Sequence, residues 1–321
     1  MRVTTGSRLH AGFYHISTLY NVWSVLFAGA GFYVEYPRVV VEARRCDRVE
    51  LEGFGDLTGA VKGLLLLAGF TACLRLSESM PRHSGLGSTT QILLASLLAA
   101  SRASGFSLSI DSLIELSGRA SRYSSIGSLL FKYGGFVVEP GVPAKNGLYR
   151  PLVRLDVPGD WRFVIALPRA ERGLDETREK YVMDVVLFKS VSTEARLLMS
   201  VGCLRLASGI ARRDLEDALA GLAMMQRGTG MVFETVQGGV YREDLQHFVE
   251  IADRRGVKLA QSSWGPTLYT IATSSRAPSV KESLEKAMEK AGLEGEVLIA
   301  APRNSGASLE AASRSPASSS R

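Results

Sequence analysis

Cysteine is scarce in this chain. Cys46, Cys73 and Cys203 stand far apart with no C-x-x-C pair. That spacing argues against a metal knuckle or a disulfide framework and suits core packing in a reducing cytosol. Long apolar runs are lacking too: the uncharged stretch from Gly63 to Leu74 falls well short of the roughly 20 residues that a bilayer requires. The basic start Met-Arg-Val has no apolar stretch directly behind it, and Val22 to Val34, with Gly29 and Gly31 inside it, reads as a buried strand and not a signal peptide. These absences predict a cytoplasmic protein with no membrane partner. Charge of one sign is thin as well. The net charge is +6, and residues 303–321, with three Arg and one Glu, hold +2 of it. The remainder is too dilute for a nucleic-acid binder but suits a small anionic ligand. One further absence is local: between Gly118 and Gly135 there is no carboxylate, the ionisable residues being Arg119, Arg122, Tyr123, Lys132 and Tyr133.

What is present describes an ordinary folded core. Hydrophobic residues make up 46% of the 321 positions and charged ones 22%, a length sufficient for two modest domains. Strands are expected at 2–5, 32–35, 39–42, 48–52 and 73–78, with a helix over 56–70. A helix over 90–104 repeats Leu93/Leu97 and Leu94/Leu98 at helical spacing and stops before Gly105. Asp111 opens a short helix, and 134–139 reads as a strand. Beyond the Gly/Pro-rich stretch 140–150 come a strand over 161–167 and helices over 175–207, 214–227 and 243–254. A Gln-Ser-Ser-Trp-Gly-Pro turn, two helices and a strand over 296–301 follow. The expected fold class is α+β, with an N-terminal phosphate-binding domain (1–150), a C-terminal α+β domain (151–301) and a disordered Ser/Ala/Arg tail (302–321).

Two stretches carry chemistry. Pro81-Arg82-His83-Ser84-Gly85-Leu86-Gly87-Ser88-Thr89-Thr90 runs into the 90–104 helix. Glycines admit backbone N–H groups close to a phosphate, hydroxyls add donors, and the helix N-terminus contributes a positive dipole. It is not the common P-loop, because no Lys stands beside Ser88, and it is not the dinucleotide fingerprint, whose third Gly would fall at Thr90. The second stretch is Ala260-Gln261-Ser262-Ser263-Trp264-Gly265-Pro266-Thr267, in which an amide and two hydroxyls precede a Gly-Pro turn expected to start a helix. Each stretch also has a bland explanation, an ordinary capped helix for the first and a turn plugged by Trp264 for the second.

Together they resemble the GHMP small-molecule kinase superfamily, Pro81–Thr90 being similar to its phosphate loop and 260–270 to its C-terminal motif. Within it the chain resembles the β-ribofuranosylaminobenzene 5′-phosphate synthases of archaeal methanopterin biosynthesis. That likeness rests on Ser7-Arg8-Leu9-His10, Gly85-Leu86-Gly87-Ser88-Thr89-Thr90-Gln91, Trp161-Arg162-Phe163-Val164, Glu171-Arg172-Gly173-Leu174, Val236-Gln237-Gly238-Gly239-Val240-Tyr241 and Gln261–Thr267. The family pattern is departed from at His15, Val25, Phe27 and Ala260.

The resemblance implies a two-domain GHMP-kinase-like fold and a transferase. It would join 5-phosphoribosyl 1-pyrophosphate to a para-substituted benzoate, releasing CO2 and pyrophosphate with the help of Mg²⁺. Gly85, Gly87, Ser88 and Thr89 would cradle pyrophosphate, and Arg8 and His10, two apart on a strand, would reach phosphate or the aromatic carboxylate as catalytic groups. Arg119 and Arg122 would clamp the 5-phosphate, while Gln237, Gln261, Ser262 and Ser263 are further donors. His83 is a loop candidate, and no metal ligand is assigned. The partners implied are small-molecule substrates, with a homodimer left open. The alternatives are an ATP-dependent kinase of the same superfamily, which the missing carboxylate in 118–135 disfavours, and a non-catalytic sugar-phosphate-binding relative.

Overall fold

The computed structural model describes residues 1–16, 27–119, 124–141, 149–170, 173, 176–187 and 191–311. Alternating apolar residues near the start build two long antiparallel strands, β1 (Arg2–Ile16) and β2 (Phe27–Arg45), which absorb the shorter strands expected there. Their register shifts between His10 and Gly12 and again between Phe13 and His15. Such bulges re-aim side chains that strict alternation would send to opposite faces.

Next come β3 (Glu50–Glu52), α1 (Thr58–Leu67), β4 (Ala72–Glu78), α2 (Ser88–Ala103), α3 (Ile110–Ser117), α4 (Ile126–Tyr133), β5 (Phe136–Val138) and β6 (Val153–Leu155). The described strands of the first sheet run β3-β4-β2-β1, with β5 pairing β2 and β6 pairing β5. α2 is buried along nearly its whole length and packs against β1 and β2, so its N-terminus is a rigid platform.

The second half holds β7 (Trp161–Pro168), α5 (Glu176–Leu187), α6 (Thr193–Arg212), α7 (Leu215–Gln237), α8 (Glu243–Arg254), β8 (Ala260–Gln261), β9 (Leu268–Thr273), α9 (Ala277–Lys290), β10 (Gly295–Ala300) and β11 (Ser308–Glu310). The second sheet runs β10-β7-β9-β8. Phe32 of the first sheet stacks on Phe136 and on Phe163 of the second, both at 5.0 Å between ring centroids. The arrangement is a two-domain α+β fold whose sheets share an aromatic core.

Several expectations need correction. The helix expected over 175–207 is interrupted: α5 ends at Leu187 and α6 begins at Thr193, where Ser192 accepts the Ala195 N–H as an N-cap. The helix expected over 214–227 continues to Gln237. The residues after Pro266 form strand β9 and not a helix, because Leu268, Tyr269 and Ile271 pair into the buried centre of the second sheet.

The chain beyond Pro302 is not a loose tail through its described part. Arg303 is buried, with its Nη1 2.7 Å from Glu35 Oε2, and Asn304 both donates to the Val157 carbonyl and accepts its N–H. β11 then pairs with β1. A few polar anchors hold a segment too poor in apolar residues to pack by itself. Cys46 and Cys73 form a disulfide, against expectation, since β4 lies beside β2 and brings them together across 27 residues of chain. Cys203 is the buried thiol, pushed up to about 12 by desolvation.

Candidate active site

α2 begins on an unusual residue. Its N-cap, Gly87, has φ +76° and no side chain caps the helix, so the first-turn N–H groups face outward without a side-chain acceptor. A Cβ at Gly87 would also come within 3.2 Å of Arg8 Cβ and 3.3 Å of Arg8 Nε. Arg8 docks here through its own backbone, its N–H donating to the Leu86 carbonyl at 2.9 Å. The resulting cavity is lined by Arg8, His83, Gly85, Gly87, Ser88, Thr89, Thr90 and Arg119. Arg119 is held on its far wall by an Nε–H bond to Thr90 Oγ1 at 3.1 Å. Two guanidinium groups, hydroxyls and an uncapped helix N-terminus make an anion cradle.

The second motif is the back of this cradle. Ser262, fully buried, donates its hydroxyl hydrogen to the Gly85 carbonyl at 2.7 Å and accepts the His10 N–H at 2.9 Å. Gly85, at φ +92°, leaves only enough room for this: a Cβ there would sit 2.1 Å from the Ser262 carbonyl oxygen. The Thr267 N–H donates to the Ser84 carbonyl at 3.2 Å. The turn carries Ser263 and Trp264 into the site, with Ser263 itself at φ +59°.

A second cavity adjoins the first, Arg8, Ser263 and Trp264 lining both. Its walls are aromatic. Phe233 meets Trp264 edge-on at 4.8 Å, and Phe13 lies 5.9 Å from Phe233 and 5.1 Å from His10. The β1 bulges let His10, Gly12 and Phe13 all line it. α7 supplies Gln226, Thr229, Gly230, Phe233 and Gln237, spaced to fall on one helical face. His10 is neutral here: burial, and then the nearby Arg8 charge, lower its pKa to about 3. The Gly12 N–H donates to its Nδ1 at 3.0 Å, which leaves the ring proton on Nε2.

Of the expected residues, Arg8, Gly85, Gly87, Ser88, Thr89 and Arg119 come together at the cradle, and His10, Gln237, Gln261 and Ser263 line the aromatic cavity. Arg122, Val25 and the Glu171-Arg172 pair lie outside the described residues. Three roles change. The Ser262 hydroxyl is committed to Gly85 and His10, so it braces the site from behind. Gln261 is occupied by Arg242 N–H, Gln237 Oε1 and the Ser263 carbonyl. Gln237 in turn donates to the Gly239 and Val240 carbonyls. These amides shape the wall and hold the turn, because their polar atoms are satisfied within the protein.

Sequence reasoning missed Phe13, Gln226, Thr229 and Phe233, although the α7 spacing carried a signal. It also missed Glu139. This carboxylate, four residues past Gly135, is 1% exposed and accepts the Gly29 N–H at 3.1 Å and the Ser125 hydroxyl at 2.9 Å. Burial raises it to about 7 despite these bonds.

Comparison with known proteins agrees with the fold and the two motifs. Residues 56–130 match the GHMP kinases N terminal domain and residues 206–290 the GHMP kinases C terminal domain. Among solved structures, the Methanococcus jannaschii mevalonate kinase superposes with a TM-score of 0.66 at 15% identity, over 95% of this chain and 98% of that one. A homoserine kinase from Cytophaga hutchinsonii gives 0.66 at 16% identity over 96% of both chains. This chain belongs to the GHMP kinase superfamily.

Its similarity to particular curated proteins is greater. A beta-ribofuranosylphenol 5′-phosphate synthase from Archaeoglobus fulgidus is 27% identical over 97% of this chain and 99% of the relative. Another of that name from Methanocaldococcus jannaschii is 22% identical over 95% and 99%. No described helix is long and apolar enough to cross a membrane.

Proposed function

We propose that this chain is a transferase that condenses 5-phosphoribosyl 1-pyrophosphate with 4-hydroxybenzoate, or a close analogue, to give a β-ribofuranosylphenol 5′-phosphate. The reaction forms a C–C bond between the anomeric carbon and the ring carbon that carries the carboxylate, and releases pyrophosphate and CO2. The hydroxyl substituent follows the names of the full-length relatives, which carry a phenol where an aminobenzene was expected. The observation that carries the reading is an anion cradle set against an aromatic-walled cavity, with Arg8 lining both.

Each part has a task. The α2 N-terminus with Ser88, Thr89 and Arg119 binds the anionic groups of the sugar substrate. Charge that develops on the leaving pyrophosphate is met by preorganised donors, which is where electrostatic stabilisation counts most. Phe13, Phe233 and Trp264 enclose the flat aromatic acid, and neutral His10 offers an Nε2–H donor without adding a second positive charge beside Arg8. Arg8 holds the carboxylate against the anomeric carbon until that carboxylate departs as CO2.

Mg²⁺ belongs to the proposal through the pyrophosphate. The described cradle residues offer the hydroxyls of Ser88, Thr89 and Thr90 and no carboxylate, a donor set that fits an ion whose other ligands are phosphate oxygens and water. Bound there, it would neutralise the leaving group. The proposal also sets the reaction in the cytoplasm, since a phosphorylated sugar does not cross a bilayer unaided.

The kinase and non-catalytic readings have less support. The near-full-length relatives bear synthase names, and no Asp or Glu is among the described residues that line either cavity directly. The test is pyrophosphate release from 5-phosphoribosyl 1-pyrophosphate with a panel of aromatic acids. Release that depends on a para-hydroxy or para-amino benzoate supports the reading, and release indifferent to the acid rejects it.

A further inference from the structure

Glu139 is a costly feature that the reading above leaves unused. Its Oε1 accepts the Gly29 N–H, its Oε2 accepts the Ser125 N–H and hydroxyl, and Ser124 completes the set with its side chain. Among the described residues its partners are backbone N–H groups and hydroxyls, with no ion pair. Burying a carboxylate is expensive even when it is hydrogen-bonded, and such groups concentrate at functional sites. Among the described residues, the titratable groups packed near it are few. From β1, the Tyr14 phenol donates to the Glu139 backbone carbonyl at 3.1 Å and is itself raised to about 12, with Cys203 behind it on α6. His10, also on β1, lies across Gly29 and is neutral. β2 and the start of α4 present glycine, serine and isoleucine.

Position along the cavity supplies the reason. Arg8 pairs with Tyr33 in the middle of the β1–β2 ladder, and Phe13 pairs with Gly29 further along it. Gly29 is the residue bound to Glu139, so this carboxylate sits beside the Phe13 stretch of β1, five residues along the strand from Arg8. Ser124, which bonds to Glu139, lines that same cavity. Arg8 and Ser124 line the same cavity, so an aromatic acid whose carboxylate is held by the Arg8 side chain can present its para substituent to Ser124. The Ser124 oxygen accepts the Ile126 N–H at 3.3 Å, and a serine hydroxyl that donates to a carboxylate has two lone pairs, so a second proton donor can be accepted beside it.

We propose that Glu139, acting through the Ser124 hydroxyl, accepts the hydrogen bond and transiently the proton of the para-hydroxyl group of the aromatic acid. This rests on the proposed function and deepens it. As the ring carbon bearing the carboxylate bonds to the anomeric carbon, the C–O bond breaks and its electron pair leaves with pyrophosphate. The phenolic proton passes to Ser124 as the Ser124 proton passes to Glu139, and the ring becomes a neutral dienone. The C–CO2 bond then breaks, its electron pair restores the aromatic ring, and the oxygen recovers its proton by the same route. Ser124 touches the substrate; Glu139 is a positioning residue that begins and ends ionised. No oxidant or other co-reactant enters.

The test compares wild type with Glu139→Gln, Ser124→Ala and Ser124→Thr, using pyrophosphate release from 4-hydroxybenzoate between pH 5 and 9 and calorimetric binding of 4-hydroxybenzoate against 4-methoxybenzoate. Wild type is expected to lose kcat on the acid side and to prefer the hydroxy acid. Glu139→Gln is expected to lower kcat about 100-fold or more, the usual scale for proton transfer. It should also flatten the acid limb and abolish the preference, with KM for 5-phosphoribosyl 1-pyrophosphate within about threefold of wild type. Ser124→Ala should do the same and Ser124→Thr should recover, which decides the matter if the Gln variant does not fold. An unchanged acid limb in Glu139→Gln, or equal activity of the Ala and Thr variants, overturns the proposal. If wild type releases no pyrophosphate with any acid, the underlying function fails instead, a separate and recognisable result.

Discussion

The Ser262 hydroxyl donates to the Gly85 carbonyl at 2.7 Å, joining the two motifs that lie 177 residues apart in the chain. The same oxygen receives the His10 N–H, so one buried atom holds the phosphate loop, the β1 strand and the Trp264 turn in register. Ser262→Ala removes a donor and an acceptor from groups that water cannot reach. We expect a stability loss of about 1–3 kcal/mol together with weaker pyrophosphate binding, read by denaturant titration and calorimetry. Wild-type values in both would show that the clamp is dispensable.

Gly87→Val places a branched side chain at φ +76° and against Arg8. The backbone strain is on the order of 1–2 kcal/mol, so the protein should fold while pyrophosphate affinity falls at least tenfold. Calorimetry on the folded variant checks this, and unchanged affinity would remove the cradle from the α2 N-terminus.

His10 and Glu139 give opposite pH dependences. His10 falls to about 3 when folded, chiefly through burial, against roughly 6.5 unfolded. The unfolded chain therefore binds more protons between these values, and stability present above about pH 6.5 is lost as pH falls through the interval. Glu139 rises from 4.5 to about 7, so the unfolded chain ionises first and stability falls as pH rises between those values. The two offset each other between about pH 4.5 and 6.5, and below that window His10 acts without opposition from Glu139. The stability advantage of wild type over His10→Gln should shrink by about 1.4 kcal/mol per pH unit between pH 6 and 4. A difference that does not vary with pH would contradict a buried neutral imidazole.

Deletion of residues 303–321 should be damaging. It removes Arg303, whose ion pair with Glu35 is buried at the Arg end, and the Asn304 bridge to Val157. Glu35 is 46% exposed, so the ion pair itself is worth about 1 kcal/mol, but the Asn304 hydrogen bonds and the β11 pairing are lost with it. A melting temperature within a degree of wild type would refute this.

What the sequence revealed and what it hid follow from locality. The Gly85–Thr90 and Gln261–Thr267 stretches could be read because glycines and hydroxyls within ten residues define a loop by themselves. The α7 face of Gln226, Thr229, Phe233 and Gln237 has a helical spacing that an ordinary core helix shares, so nothing marked it as a cavity wall. Glu139 follows a short strand where a carboxylate usually meets solvent. Its meaning appears only when Gly29, from more than a hundred residues earlier, is placed against it. Cys46 and Cys73 are hidden in the same way, their pairing set by strand order and not by spacing. Ser262 was found for its hydroxyl but assigned the wrong task, since a free donor and a committed one look alike in sequence.

The central claim is that the two adjoining cavities hold a sugar pyrophosphate and an aromatic acid for C–C bond formation with decarboxylation. Incubation with 5-phosphoribosyl 1-pyrophosphate, Mg²⁺ and carboxyl-labelled 4-hydroxybenzoate measures it directly. Labelled CO2 and pyrophosphate should appear in equal amounts, each dependent on both substrates, with a ribosylated phenol as the organic product. Pyrophosphate without labelled CO2, or label retained in the product, would contradict the account.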